Sequence, residues 1–350
     1  MKKYEMIADT LKRSIQSGEY ENKRIPTEHE LGELFGVSRV TIRKSFELLE
    51  KEFLFKRSQK SGTVLLGRRA GNATKHVVFI MLFSAEESLE IIRGAEEYFS
   101  EKNISLTVKF SNCSAKSERD IIKEVLNLGA DGLIIYPACC SMNIDLFTEL
   151  IGRGIPLVFV DRYPMRTICA SVSINNQQTA SDIVNYLYGQ GHRDIVFFAN
   201  ELKKQISTRE RLLGFVSAFK LHGLELTKKN IYIFDNDAEL VQAFADFFER
   251  EKLPTGIFCC DDLIASRFID EAIRRGYRVP DDFSVVGVDD RAVASQHVPS
   301  ITTVRQPFGT LGRQSAKIIN SMLESKSPEI TKIYLPVEFV IRDSTRAIQS

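Results

Sequence analysis

Two arginines, Arg39 and Arg43, lie one helical turn apart on a segment that the sequence predicts to be a short basic helix. A guanidinium group presents its N–H donors in a fixed fork, which matches the acceptor atoms of a guanine edge or a phosphate. Lys44 lies beside them, and Ser38 and Thr41 bring hydroxyl groups to the start of the same helix. These side chains predict hydrogen bonding to base edges and phosphates.

The neighbouring sequence supplies the elements that would position the arginines. Thr27 and Glu30 have the spacing of a capping box at the start of a helix. Gly36 ends that helix, because glycine enters the left-handed region without penalty. Ser38 caps the next helix, whose apolar residues recur at i, i+4 and i+7. Residues 53–66 then predict a basic hairpin, so the whole segment has a shape suited to DNA.

For either arginine alone, a solvated basic face on a small helical domain is an equal alternative. The ordered combination of caps, glycine turn, paired arginines and hairpin between residues 23 and 63 favours DNA binding instead. Charge agrees, since residues 1–75 hold 16 Lys+Arg and 10 Asp+Glu, whereas the remainder holds 31 and 36. A basic head on an acidic body fits a nucleic-acid module joined to a domain with another partner.

The head resembles the GntR-type winged helix-turn-helix family at residues 26–31, 36–39, 41–43 and 60–63. This resemblance implies double-stranded operator DNA as a partner. The residues expected to contact it are Thr27, Glu28, Ser38, Arg39, Thr41, Arg43, Lys44, Lys60 and Gly62.

The body alternates apolar strand-like runs with amphipathic helices, after a polar segment at 67–76 that we interpret as a linker. Strands that are apolar throughout indicate a parallel sheet covered on both faces. Two similar sets of strands favour two doubly wound lobes, and a barrel is the alternative. We therefore predict an α/β protein with a DNA-binding domain at 1–66 and a two-lobed domain at 77–346. The expected lobes are 77–160 with 290–321, and 161–289 with 322–346.

Polar side chains gather where the predicted strands end. The residues concerned are Asp161, Arg162, Asp261, Asp262, Asp289 and Asp290, with Arg211 on a following helix. Ligands of open α/β sheets bind beyond the carboxyl ends of the strands. Carboxylates and guanidinium groups there can hydrogen-bond neighbouring hydroxyls, which predicts a polyol site. For Asp262 and Asp290, a purely structural role such as helix capping is an equal alternative.

The sequence lacks the motifs of common catalytic and cofactor sites. It has no dinucleotide fingerprint, P-loop, H-E-x-x-H or G-x-S-x-G motif. Its six cysteines form no C-x-x-C pair, and its five histidines are scattered. We expect no catalytic residue, no metal and no cofactor; a sugar-modifying enzyme with an accessory basic domain is the competing class. Without a signal peptide or a membrane-length apolar run, we expect a cytoplasmic protein with no membrane partner.

From about residue 76 to residue 346 the chain resembles the ligand domain of LacI/GalR-type repressors, which has a periplasmic-binding-protein fold. The matching segments are 155–162, 191–193, 211–215, 260–263, 287–290 and 299–307. The resemblance implies effector contacts from Arg211, Asp261 and Asp289, with Asp161 and Arg162 close by. The family usually has Asn where this chain has Asp261, and the extra carboxylate disfavours an anionic effector because burying like charges is costly.

A GntR-type head on a LacI/GalR-type body resembles the bacterial arabinose-responsive repressors, including residues 91–94, 117–120 and 341–344. The resemblance implies a homodimeric repressor that a neutral sugar releases from its operator, with L-arabinose the leading candidate. The residues alone support only a neutral, hydroxyl-rich ligand. A sugar-responsive activator is the alternative. We expect the lobes to hinge near 161–165 and 290–296.

Overall fold

The computed structural model describes residues 3–16, 24–50, 53–58, 62–68, 74–200, 202–324 and 331–348. The chain divides into two compact units, Met1–Thr74 and Lys75–Ser350. Their boundary falls within the segment 67–76 that the sequence indicated as a linker. Lys60 lies outside the described residues.

The N-terminal unit combines helices with a small antiparallel sheet. Its elements are α1 (Lys3–Gln16), β1 (Arg24–Ile25), α2 (Glu28–Phe35), α3 (Arg39–Leu49), β2 (Phe53–Ser58) and β3 (Gly62–Arg68). The sheet has the order β1-β3-β2, and both pairings are antiparallel. The apolar faces of the helices share one core that includes Leu11, Leu31 and Phe46. Ser45 on α3 also donates a hydrogen bond to the carbonyl oxygen of Tyr4 on α1. The predicted winged helix-turn-helix is confirmed.

The first lobe of the second unit is built on a six-stranded parallel sheet. Its elements are β4 (Lys75–Met81), α4 (Glu86–Ser100), β5 (Ile104–Phe110), α5 (Ala115–Asn127), β6 (Gly132–Ile135), α6 (Ile144–Gly152), β7 (Leu157–Val160), β8 (Ala170–Ile174), α12 (Phe308–Glu324) and β14 (Lys332–Leu335). The strand order is β14-β8-β7-β6-β4-β5. Along β4, Val77 and Phe79 pack into the core beneath α4 and α12, whereas Val78 and Ile80 pack into the core beneath α5 and α6. Both faces of the sheet are therefore covered, as apolar parallel strands require.

The second lobe repeats this plan on a four-stranded parallel sheet with the order β10-β9-β11-β12. Its elements are α7 (Asn176–Gly189), β9 (Ile195–Asn200), α8 (Ile206–Leu221), β10 (Ile231–Phe234), α9 (Asp237–Phe248), β11 (Gly256–Cys259), α10 (Asp262–Arg274), β12 (Ser284–Val286), α11 (Ala292–Gln296), β13 (Thr303–Arg305) and β15 (Glu338–Val340). Its core is rich in phenylalanine, with Phe197, Phe198 and Phe258 fully buried on the central strands. The doubly wound two-lobed fold is confirmed, and the barrel alternative is wrong.

The lobe boundaries differ from the predicted ones. Strand β8 at 170–174 belongs to the first sheet, because it pairs with β7 and β14. The sequence did not indicate this strand, since the buried Ser171 and Ser173 interrupt its apolar run. Residues 290–305 belong to the second lobe, and β14 returns to the first. The described chain thus crosses between the lobes near Asn175, at 306–307 and at 336–337, and the expected hinges at 161–165 and 290–296 lie inside the lobes.

Helices α4 and α12 pack unusually closely. A Cβ atom added at Gly94 would lie 1.9 Å from the carbonyl oxygen of Gly309, and one added at Gly312 would lie 1.8 Å from that of Ile91. Only glycine permits such an approach between backbones. None of the helices that the structure describes, this pair included, is long and apolar enough to span a membrane.

Candidate nucleic-acid interface and candidate effector cleft

Helices α2 and α3 begin with the capping groups that the sequence predicted. The backbone N–H of Thr27 donates to the Glu30 carboxylate at 2.6 Å, and the Thr27 hydroxyl accepts from the Glu30 N–H at 3.3 Å. Gly36 ends α2 in the left-handed region with φ 59°. The hydroxyl of Ser38 accepts from the backbone N–H of Thr41 at 3.4 Å and so begins α3. Each helix therefore begins with a short polar side chain that caps its first turn.

The buried and exposed faces of α3 separate as its sequence period requires. Ile42 and Phe46 are buried, whereas Arg39, Arg43 and Lys44 are exposed. The exposed face presents two guanidinium forks and an ammonium group beside the helix start. Such a face can contact base edges and phosphates in a major groove.

Glu28 contributes to this face in a way that its sequence position did not reveal. A carboxylate oxygen of Glu28 lies 3.3 Å from a terminal guanidinium nitrogen of Arg43, and the exposed side-chain fractions are 26% and 62%. An ionised carboxylate only accepts hydrogen bonds, so it opposes a phosphate and attracts a guanidinium. This ion pair suits holding Arg43 in position, and the predicted contact of Glu28 with DNA stays a prediction.

The structure describes the remaining predicted DNA-binding residues to different extents. Thr27 and Thr41 are partly exposed at the starts of their helices. Gly62 begins β3 and pairs with Ser58 at the end of the wing hairpin. Lys60 lies outside the described residues. Contact of each of these positions with DNA stays a prediction.

In the second unit, a cavity of about 400 Å³ lies between the two lobes. All five residues that the sequence assigned to the effector site line it, namely Asp161, Arg162, Arg211, Asp261 and Asp289. They come from the carboxyl ends of β7, β11 and β12 and from α8. The parallel sheets bring these ends to the same cleft, which is why residues far apart in the chain meet there. A volume of this size is typical of small-molecule sites.

Asp289 is the centre of the hydrogen-bond network in the cleft. Its carboxylate accepts from the side-chain amide of Gln306 at 2.6 Å, from Arg291 at 3.3 Å and from Arg211 at 3.5 Å. The Asp289 side chain is only 9% exposed. Charge-assisted hydrogen bonds in such a desolvated site are stronger than neutral ones.

Arg211 is held from its other side as well. Its Nε donates to the side-chain oxygen of Asn176 at 2.9 Å, and its terminal nitrogen donates to the carbonyl oxygen of Cys260. These bonds fix the plane of a buried guanidinium at the cavity wall. A rigid donor fork can meet two adjacent hydroxyls without losing side-chain freedom on binding.

Asp261 caps α10 and also faces the cavity. Its carboxylate accepts from the backbone N–H of Ile264 at 2.9 Å and from the Asn200 amide at 3.4 Å. Burial raises the pKa of Asp261 above its ordinary value, and the neighbouring Arg291 opposes that rise. Asp261 can therefore combine a structural bond with a contact to a ligand.

The two carboxylates whose role the sequence left open make structural contacts. Asp262 is fully buried and accepts from the hydroxyl of Thr303 and the backbone N–H of Arg291, at 2.6 and 2.8 Å. Asp290 accepts from Arg305 and Arg342, both at 2.6 Å. Neither lines the 400 Å³ cleft.

The first lobe supplies the cleft with aromatic surface. Tyr136 lies beneath the Arg162 guanidinium, 5.1 Å from the ring centroid. Phe83 and Phe308 add two more rings to the wall. Aromatic rings commonly pack against apolar faces of bound ligands, with polar groups fixing orientation. Phe83 directly precedes the acidic segment 84–88. Because it ends an apolar run, sequence reasoning assigned it to a strand and did not single it out as a cleft residue.

Several polar residues of the site were missed from the sequence, among them Glu87, Arg291 and Gln306. Arg291 pairs with Glu87 at 3.1 Å and with Asp289 at 3.3 Å. Burial disfavours the charged form of Arg291, but the carboxylates of Asp289 and Glu87 outweigh it and raise the pKa of this guanidinium. Gln306 is buried, and its side-chain oxygen has no hydrogen-bond partner within the described chain. Gln306 lies in segment 299–307, which resembles the LacI/GalR-type repressors. This resemblance was the sequence signal that could have identified Gln306 as a site residue.

The charges that line the cleft balance. Four carboxylates face four cations, namely Glu87, Asp161, Asp261 and Asp289 against Arg162, Lys204, Arg211 and Arg291. A ligand with a net charge would upset this balance in a poorly solvated space. Within the described residues, no group of His, Cys, Asp or Glu could hold a metal ion.

Comparison with known proteins agrees with both units. The family model described as bacterial regulatory proteins, gntR family, matches residues 3–65, and a periplasmic binding protein-like domain matches residues 184–345. The "Arabinose metabolism transcriptional repressor" of Geobacillus stearothermophilus is 28% identical over 99% of this chain and 98% of its own. The "Probable HTH-type transcriptional regulator EndR" of Paenibacillus polymyxa is 30% identical over 69% of this chain and 70% of its own. The crystal structure of transcription regulator CcpA of Lactococcus lactis covers 78% of this chain and 100% of its own, with a TM-score of 0.70 and 21% identity.

A DNA-reading head and a ligand cleft define a ligand-controlled DNA-binding protein. The chain belongs to the bacterial HTH-type transcriptional regulators, with a gntR-family head followed by a periplasmic-binding-protein-like body. The prediction of a regulator instead of an enzyme is confirmed, because these relatives are transcriptional regulators.

Proposed function

We propose that this chain is a transcriptional repressor that a neutral sugar, L-arabinose, releases from its operator. One observation carries the proposal: the cleft between the lobes balances four carboxylates against four cations and adds aromatic walls. Hydroxyl groups satisfy such donors and acceptors without adding charge. The choice of arabinose rests on the two arabinose metabolism repressors that match 99% of the chain.

The cleft would hold the sugar through residues from both lobes. Arg211, Asp261 and Asp289 belong to the second lobe, and Asp161 and Arg162 belong to the first. A ligand that bonds to both lobes favours the closed arrangement over the open one. To move a two-state equilibrium from 1:99 to 99:1, the sugar must bind one arrangement by about 5.5 kcal/mol more strongly.

The DNA-binding form would be a homodimer acting on chromosomal DNA in the cytoplasm. Two heads on a dimer would contact two operator half-sites, with Arg39 and Arg43 at base edges and Ser38, Thr41 and Lys44 at bases or phosphates. Movement of the sugar-bound lobes would change the spacing of the heads. The sugar therefore need not touch DNA to release it.

The decisive experiment titrates sugars onto a complex of the protein with DNA that it selects from a random pool. Fluorescence anisotropy should report release by L-arabinose. Calorimetry on the protein alone should report binding of the same sugar. Thermal denaturation adds a third readout, because a ligand at 100 times its Kd stabilises the native state by about 2.7 kcal/mol.

A sugar phosphate of similar size is the matched control, since it has the same hydroxyl chemistry but adds negative charge. It should neither bind nor release DNA. Release by the phosphate and not by the neutral sugar would contradict the argument from charge balance. Tightening of the DNA complex by L-arabinose would instead contradict the assignment as an inducible repressor.

A further inference from the structure

A second cavity of about 230 Å³ adjoins the effector cleft. The two cavities share five wall residues: Glu87, Asp289, Arg291, Gln306 and Phe308. The rest of the second cavity is lined by Glu86, Glu90, Asp290 and Arg305. The space beyond the shared wall is more than half as large as the effector cleft itself.

Within the shared wall, an ion pair joins the two lobes. Glu87 lies in the first turn of α4 in the first lobe, and Arg291 immediately precedes α11 in the second. A terminal nitrogen of Arg291 lies 3.1 Å from the Glu87 carboxylate. The Glu87 side chain is 8% exposed and the Arg291 side chain 23% exposed, so the pair is mostly shielded from water. Both members of the pair line both cavities.

We propose that the Glu87–Arg291 ion pair is the end wall of the effector cleft and limits the effector to a single sugar unit. This inference rests on the proposed function, because it concerns the size of the neutral sugar that the cleft accepts. A longer saccharide could use the second cavity only by displacing the pair.

The wall is held on both sides, which makes displacement costly. The Arg291 guanidinium also bonds the Asp289 carboxylate at 3.3 Å, and the Arg291 backbone N–H donates to Asp262 at 2.8 Å. Glu87 is fixed by its position on a helix that packs closely on α12. Separating two shielded charges leaves each without its partner, and such a rupture is strongly unfavourable. A saccharide hydroxyl does not replace a full charge.

The test compares calorimetric binding of L-arabinose with that of its α-1,5-linked disaccharide. The parent protein should bind the monosaccharide and bind the disaccharide at least about tenfold more weakly. The double variant Glu87→Ala/Arg291→Ala removes both charges together, so neither is left unpaired. The ratio of its disaccharide affinity to its monosaccharide affinity should rise at least about tenfold over that of the parent protein.

Glu90→Ala is the matched control, because Glu90 lines only the second cavity and lies one turn from Glu87 on the same helix. This variant should bind the disaccharide as weakly as the parent protein does. Glu87→Ala alone is the second variant, since Arg291 keeps Asp289 as a partner and the fold keeps its network. This variant removes only the first-lobe residue of the wall. It should raise disaccharide affinity less than the double variant does.

The outcomes separate the wall from the proposed function. Equal binding of both sugars by the parent protein overturns the wall, and so does a folded double variant that binds the monosaccharide without any gain for the disaccharide. Loss of monosaccharide binding in both wall variants, with no gain for the disaccharide, would mean that the pair only closes the lobes. A parent protein that binds no sugar at all refutes the proposed function, and this result is visible before any variant is made.

Discussion

Replacing Asp289 by Asn should weaken sugar binding while DNA binding persists. The Asp289 carboxylate accepts from Gln306, Arg211 and Arg291 and is almost fully shielded. Asn keeps the side-chain size and tolerates positive φ, which is 110° at this position. The substitution therefore removes charge and one acceptor oxygen without changing the backbone.

The magnitude follows from the partners that remain. Arg291 keeps the Glu87 carboxylate, and Arg211 keeps Asn176 and the carbonyl oxygen of Cys260. We expect a loss of unfolding free energy at the lower end of the about 3–5 kcal/mol seen when a buried pair is broken. Loss of one charge-assisted hydrogen bond to the sugar should cost about 1.5–3 kcal/mol, or roughly 10–150-fold in Kd.

Asp290→Asn is the matched control. Asp290 is the next residue, also has positive φ, and also pairs with two arginines, but it does not line the effector cleft. It should lower stability while leaving the sugar Kd unchanged. Calorimetry measures the sugar, denaturation measures the fold, and anisotropy with operator DNA measures the head. Sugar binding by Asp289→Asn within about twofold of the parent would refute the placement of Asp289 at the sugar.

Further predictions concern the head, the helix pair and acid stability. Arg43→Ala should weaken specific DNA binding by about 1–3 kcal/mol in anisotropy while calorimetric sugar binding persists; equal loss of both would indicate unfolding. Gly94→Ala should lower the unfolding free energy by about 1–3 kcal/mol, because its Cβ would meet the Gly309 carbonyl oxygen at 1.9 Å. Gly309→Ala, with its nearest contact at 3.9 Å, is the control and should cost less in the same denaturation assay. Burial lowers the pKa of His192 to about 4, so its contribution to stability is complete above the unfolded value of 6.5 and is lost as the pH falls towards 4. His192→Gln should flatten the stability profile across that window, and an unchanged acid-side slope would contradict the assignment.

The head was largely predictable because its information is local. The Thr27 capping box, the Gly36 turn and the Ser38 cap all act over three or four residues, and the structure contains each of them. The exposure of Arg39 and Arg43 follows from the helical period alone. The pair between Glu28 and Arg43 was not predictable, because it joins two helices that meet only when their apolar faces pack.

The body was predictable in class but not in its boundaries. Alternating apolar strands and helices indicate a parallel sheet, but they do not say to which sheet a strand belongs. Strand β8 pairs with β7, which precedes it, and with β14, which is more than 150 residues later. Its buried serines look polar in sequence, and only the pairing makes them part of a core.

The sequence by itself determined two kinds of information: the local periods that set helices and strands, and the carboxylates and arginines that end the strands of the second unit. Tertiary structure decided which of these charged groups line the cleft. All five carboxylates bond to protein groups, but only Asp161, Asp261 and Asp289 also line the cleft. The reason is physical, since a buried charge takes whichever partner the packing brings within reach, and adjacent residues on a turn point to different partners.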